Sequence, residues 1–224
     1  MTQQISEPFP LRELFSDRAL ITKIQEKLPL FFLEAELETR RGKQTGMEVG
    51  RVREQILASL LIYQFGRERV NVQLRATEPE ADLLLDGRPL SIKTVRASGK
   101  TAPPVKVVWT VDWDKVDQFV RNFQPSADLL LAIIRWGSIG GLYGIPRWVQ
   151  EQVLTELSIE RYLRRPRRGT NPRGVDISSE AVTRLIQHPG TQGIPIEWRR
   201  FDEPSALMAI TDPYSRWIRR WEED

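Results

Sequence analysis

The sequence predicts an α/β fold: a mixed β-sheet of about five strands flanked by helices. Three observations carry that reading. DLLLAIIRW (128–136) is a nearly continuous apolar run, the signature of a central strand buried on both faces. EADLLLDGRPLSIKT (80–94) alternates around Asp86-Gly87, a strong turn pair, and reads as a hairpin. Apolar residues recur at helical spacing both before and after this central stretch.

In order along the chain, LRELFSDRALITKIQEKL (11–28) reads as a helix that stops at Pro29, and LFFLEAELETRR continues as a second helical piece. RGKQTG (41–46) is a loop, and MEVGRVREQILASLLIYQFG is a helix ending at Gly66. RVNVQLRA (69–76) alternates as a strand does, and the hairpin follows. ASGKTAPP (97–104) is a loop, VKVVWTVD a strand, and WDKVDQFVRNF a helix stopped near Pro125. After the central strand, GSIGG turns the chain into LYGI. PRWVQEQVLTELSIERYL opens with proline in the first helical turn. An arginine-rich loop, a short helix ISSEAVTRLIQH, a strand around IPIEW and a last helix from about Pro213 complete the order. The expected organisation is one domain over 1–224: a helical part at about 11–65, a sheet core at about 66–145, and a helical part at about 146–224.

Composition excludes several chemistries. There is no cysteine, so disulfides, zinc thiolate sites and cysteine nucleophiles are absent. The single histidine, His188, sits at an expected helix end and has no second histidine to share a metal. Catalysis must then rest on carboxylates, lysine and a hard cation. No glycine-rich phosphate cradle follows a strand, so no small-molecule cofactor is expected. No apolar run reaches about 18 residues and no basic leader precedes one, so a cytoplasmic chain without a membrane partner is expected.

The net charge is only +3, but the positive charge is clustered. RYLRRPRRGTNPRG holds six arginines and no acid between Arg161 and Arg173, broken by Pro166, Gly169 and Pro172. An acid-free, loop-forming arginine cluster favours phosphate binding over a solvated helix face.

On the hairpin, alternate residues share a face. Ala81, Leu83, Leu85, Leu90 and Ile92 form the apolar side, and Glu80, Asp82, Ser91 and Lys93 the polar one. A two-residue loop sets Asp82 opposite Ser91, and a four-residue loop sets it opposite Lys93. Both put acid and lysine on one face. Such a pair on a free surface would contribute only about 0–1 kcal/mol. Glu54 argues for more, because it shares a helical stripe with Leu57, Ala58, Leu61 and Phe65. A carboxylate on a core-facing stripe needs a cation or metal beside it. Glu54, Asp82 and Lys93 are the residue types that hold a divalent metal and orient water against a phosphate. The Ile92 carbonyl lies between Ser91 and Lys93 as a further oxygen donor.

A glutamate on a helix, an aspartate on one strand and x-Lys on the next resembles the PD-(D/E)xK nuclease superfamily. Here Ala81 replaces its proline, and Ser91 stands at its second acidic position. The missing carboxylate would come from Glu54 or Glu80. GMEVGRVREQIL, EADLLLDGRPLSIKT, VKVVWTVD and GTNPRGVDIS together resemble the ThaI-type family of type II restriction endonucleases, over about residues 11 to 190. That resemblance implies a restriction-endonuclease-like core and a homodimer. It also implies Mg2+, with Mn2+ able to substitute, and blunt cleavage of double-stranded DNA at a short G·C palindrome such as CGCG. Asp82, Glu54, Glu80 and the Ile92 carbonyl would be the metal ligands, and Glu54, Asp82, Ser91 and Lys93 the catalytic set.

For DNA, Arg40, Arg41, Lys43, Lys100 and Lys106 are the expected phosphate contacts. Arg167, Arg168, Asn171 and Arg173 are the expected readers of guanine-rich base edges. The first amides of ISSEAVTRL offer another phosphate site. Met47, between a basic loop and the Glu54 helix, is a candidate apolar wedge between base steps. Two alternatives remain at this stage: a structure-specific repair or recombination nuclease of the same fold, and a DNA-binding module without catalysis.

Overall fold

The computed structural model describes residues 9–41, 46–73, 81–99, 101–169, 172–199 and 213–223. A 3₁₀ turn at Pro10–Phe15 precedes α1 (Arg18–Arg41) and α2 (Gly46–Phe65). Then come β1 (Val70–Asn71), β2 (Leu83–Leu85), β3 (Arg88–Arg96), β4 (Val105–Val108) and α3 (Trp113–Asn122). β5 (Asp128–Ile134), β6 (Ile139–Ile145), α4 (Arg147–Leu157), α5 (Ile159–Tyr162) and β7 (Leu163–Arg164) follow. The chain continues through β8 (Val175–Ile177), α6 (Ser179–Gln187), β9 (Gln192–Glu197) and α7 (Pro213–Glu222).

The strands form two sheets where the sequence predicts one. The larger has six strands in the order β1-β2-β3-β5-β6-β9, and the smaller has the order β4-β8-β7. In the larger sheet β3 and β5 run parallel and every other neighbouring pair is antiparallel. A parallel pair needs a long crossover, and β4 with α3 supplies it. The expected strand 69–76 is seen only as Val70–Asn71, and residues 74–80 lie outside the described ones.

β5 is buried at all seven residues, as its unbroken apolar run requires. Its alternate residues feed two cores. Leu130, Ala132 and Ile134 join Leu83, Leu85, Leu90 and Ile92 beneath α1, α2 and α7. Leu129, Leu131 and Ile133 join Val116, Val149, Leu157, Val175 and Leu185 on the other face. Trp217 and Trp221 of α7 are core residues, each packed against the ring of Phe31.

Pro29 lies inside α1 and does not end it. An internal proline costs about 3 kcal/mol, but Leu28, Phe31, Phe32 and Leu33 around it are all buried. Breaking the helix there would expose that face. The helix expected to run from Pro146 through Leu163 does break, at Ser158, whose φ is +63°. Among the described residues no helix is long and apolar enough to cross a membrane.

Candidate active site

The β2–β3 hairpin has the two-residue loop of the two registers open to it. Leu83 faces Leu90, Leu84 faces Pro89 and Leu85 faces Arg88. Asp86 and Gly87 have φ of +53° and +77°, the positive pair that a two-residue type I′ turn demands. Arg69 holds this turn with two bonds to Asp86, at 2.9 and 2.8 Å. One further step of the register sets Asp82 against Ser91.

Leu83, Leu85, Leu90 and Ile92 are in the core, as expected. Ser91 and Lys93 point to the opposite face, since they pair with Leu129 and Leu131 of β5. Three donors meet on one oxygen there. Asp82 Oδ2 accepts from the Ile92 amide at 2.6 Å, from Lys93 Nζ at 2.9 Å and from Ser91 Oγ at 3.2 Å. An extended residue aims its N–H and C=O to the same side, so the Ile92 carbonyl also faces the Asp82 side of β3.

Glu54 reaches the same neighbourhood from α2. Burial pushes its carboxyl up to about 7, with Lys93 pulling it down and Asp82 adding to the rise. Both hairpin charges are therefore within electrostatic reach of it. The stripe below is as apolar as its spacing implies, with Leu57, Ala58, Leu61 and Phe65 all buried. The neighbouring Arg53 anchors the helix differently: it pairs with buried Glu36, which also accepts Trp136 Nε1 at 2.7 Å.

Glu54, Asp82 and the Ile92 carbonyl make a set of hard oxygen donors. Mg2+ is commonly held by one or two carboxylates and completes its shell with water, so these residues fit it. Among the described residues no group of three or more His, Cys, Asp or Glu forms a metal cluster. Glu80, the candidate third carboxylate, lies outside the described residues.

Residues 14–223 match the family of the restriction endonuclease ThaI. The chain belongs to the ThaI restriction endonuclease family. No curated protein matches it. It is similar to a solved structure described as a restriction endonuclease in complex with substrate DNA, with a TM-score of 0.81 and 43% sequence identity. That match covers 96% of this chain and 99% of the other.

For a ThaI-family chain, the expected DNA contacts sort unevenly. Arg40 and Arg41 lie in α1 and Met47 in α2, with side chains outside the described set. Lys43, Lys100 and Asn171 also lie outside it. Arg167, Arg168 and Arg173 are exposed between β7 and β8. Lys106 is already engaged: its Nζ pairs with Asp176 at 2.9 Å and donates to the Arg173 carbonyl at 2.5 Å. Ser178 Oγ takes the Ala181 amide at 3.1 Å, so the start of α6 caps itself.

The arginine cluster is acid-free in sequence but not in space. Arg161 pairs with Glu180, Arg164 with Asp176 and Arg165 with Asp117. Asp176 is the residue that the sequence reading missed. Its signal was the alternation Val175-Asp176-Ile177, two buried apolar residues around an acid, which is β8. His188 ends α6 as expected, its ring edge-on to Trp148 and its Nδ1 accepting the Gly190 amide.

Proposed function

We propose that the chain is a magnesium-dependent type II restriction endonuclease, working as a cytoplasmic homodimer on double-stranded DNA. The observation that carries this reading is the meeting of Asp82, Ser91, Lys93 and Glu54 around one end of the hairpin. Family membership supports the reaction class, and the similar solved structure, described with substrate DNA, supports the partner. The whole of 1–224 serves as one nuclease domain in this proposal. A short G·C palindrome such as CGCG, cut to blunt ends, is the proposed site.

Asp82, Glu54 and the Ile92 carbonyl would hold the metal, with Mn2+ able to substitute for Mg2+. When bound, the ion supplies charge compensation for the phosphate and a lower pKa for an attached water. Lys93 holds the attacking water and offsets charge on the phosphate oxygens. The water oxygen gives up one proton to solvent and forms a bond to phosphorus while the bond to the 3′ oxygen breaks, and solvent returns a proton to that oxygen. The 5′ end keeps the phosphate. Ser91 keeps Asp82 oriented through its hydroxyl. The exposed Arg167, Arg168 and Arg173 are the proposed base readers.

The test is incubation of the purified protein with phage-length DNA, with and without Mg2+, followed by sequencing of the fragment ends. Discrete fragments sharing one end sequence are expected, and they reveal site and stagger together. Full magnesium-dependent cleavage by Lys93→Ala would reject the site assignment.

A further inference from the structure

We propose that Lys106 is a positioning residue that holds the base of the arginine hairpin in place, and thereby sets sequence discrimination, instead of contacting phosphate itself. This rests on reading the chain between β7 and β8 as the base-reading element. Four observations support it.

First, β7 and β8 share only two paired positions, Leu163 with Ile177 and Arg164 with Asp176. So short a ladder is marginal alone, and it is anchored through the pairing of β8 with β4, in which Lys106 stands directly opposite Asp176. Second, Asp176 stands at the centre of a three-member chain. It accepts Arg164 at 2.6 Å from β7 and pairs with Lys106 at 2.9 Å from β4. Its side chain is only 13% exposed, so its carboxylate is held by these two cations and is not freely solvated.

Third, the Lys106 ammonium makes a second bond, to the Arg173 carbonyl at 2.5 Å, and sits 5.2 Å from the centre of the Trp109 ring. One side chain thus ties the far end of the hairpin to β4. Next to it, Gly174 has φ +86°, and a Cβ there would stand 1.8 Å from the Val108 carbonyl oxygen. The backbone lies directly on the irregular step of β4 between Lys106 and Val108. Fourth, Lys106 lines one small cavity together with Ser91 and Lys93. The clamp therefore adjoins the catalytic strand. Two of the three ammonium donors of Lys106 are committed to Asp176 and the Arg173 carbonyl, and drawing it off Asp176 would leave a largely buried carboxylate with one partner fewer.

The test compares Lys106→Met, Lys106→Arg and Asp176→Asn with the unaltered protein in three readouts. Hydrogen exchange at the Arg164–Gly169 and Arg173–Val175 amides should speed up in Lys106→Met and Asp176→Asn, and stay near the unaltered rate in Lys106→Arg. The ratio of cleavage at the preferred site to sites with one altered base pair should fall about tenfold or more in the first two. The slope of log affinity against log salt should not change, whereas loss of a phosphate contact would reduce it by about 0.9.

Asp176→Asn separates the readings by sign. Removing an acid beside DNA tightens binding by charge alone, but here it should cost discrimination. A reduced salt slope in Lys106→Met with unchanged discrimination would overturn the proposal, as would unchanged exchange. If the unaltered protein itself showed no site preference, the functional reading would fall and this inference with it. Faster exchange would then still show that the clamp exists, which keeps the two failures distinguishable.

Discussion

Asp82 Oδ2 sits 2.6 Å from the Ile92 amide, so β3 donates its own backbone to the carboxylate at the centre of the candidate site. Asp82 is thereby oriented before any ligand arrives. Asp82→Asn keeps an oxygen for that amide but lacks the charge that a cation needs. Its cleavage rate is expected to fall by about 10²–10³-fold. Its melting temperature should stay within a few degrees of the unaltered protein, as calorimetry would check.

Lys93 pairs with Asp82 at 2.9 Å with its side chain about a fifth exposed. A pair this accessible to water adds about 0–1 kcal/mol to stability, so its loss should be felt in chemistry and not in folding. Lys93→Met is expected to lose cleavage by about 10²-fold or more while keeping magnesium-dependent binding of the same duplex. A gel-shift assay beside a cleavage time course reads both.

Glu54 gives a pH signature with a definite sign. Its folded value of about 7 lies above its ordinary 4.5. Between these values the folded metal-free protein holds the proton more tightly than the unfolded chain does. Stability therefore falls as pH rises through that window, and the cost is fully present above it. Glu54→Gln should raise the metal-free melting temperature by about 2–8 °C near pH 8 and by little near pH 5. Millimolar Mg2+ should stabilise the unaltered protein near pH 8, and do so less in Glu54→Gln. A melting temperature for Glu54→Gln below that of the unaltered protein at both pH values would contradict the assignment.

Glu36 is the counterpart on the structural side. It accepts both Arg53 and Trp136 Nε1 in a buried setting. Burial lowers the Arg53 pKa while Glu36 raises it, so the guanidinium depends on this partner. Glu36→Ala leaves that cation buried and unpaired, which should cost about 3–5 kcal/mol. Urea unfolding should show a lower midpoint with little change in slope.

The hairpin was legible because its information is local. Asp86-Gly87 names the turn, and the alternation through Leu83, Leu85, Leu90 and Ile92 names the core face. Glu54 was legible because a carboxylate interrupts an apolar stripe. The counter-charges of Arg161 and Arg165 were not legible because they come from afar: Asp117 is 48 positions from Arg165, and Glu180 is 19 from Arg161. Pro29 misled for a related reason, since the local cost of a proline is outweighed by tertiary burial of its neighbours. The second sheet was hidden because β7 has two residues and the alternation of β8 spans only three, too short to stand out from a loop.

Buried Glu34 of α1 receives both terminal nitrogens of Arg220 of α7, 186 positions away. Trp217 and Trp221 close over Phe31 in the same place. The helices that support Glu54 can finish packing only after the ribosome has delivered α7. Contacts of such separation slow folding, because loop-closure entropy is spent before they form. The layer that holds Glu54 in place is thus closed by the most distant of these contacts, so its assembly should be among the later steps of folding.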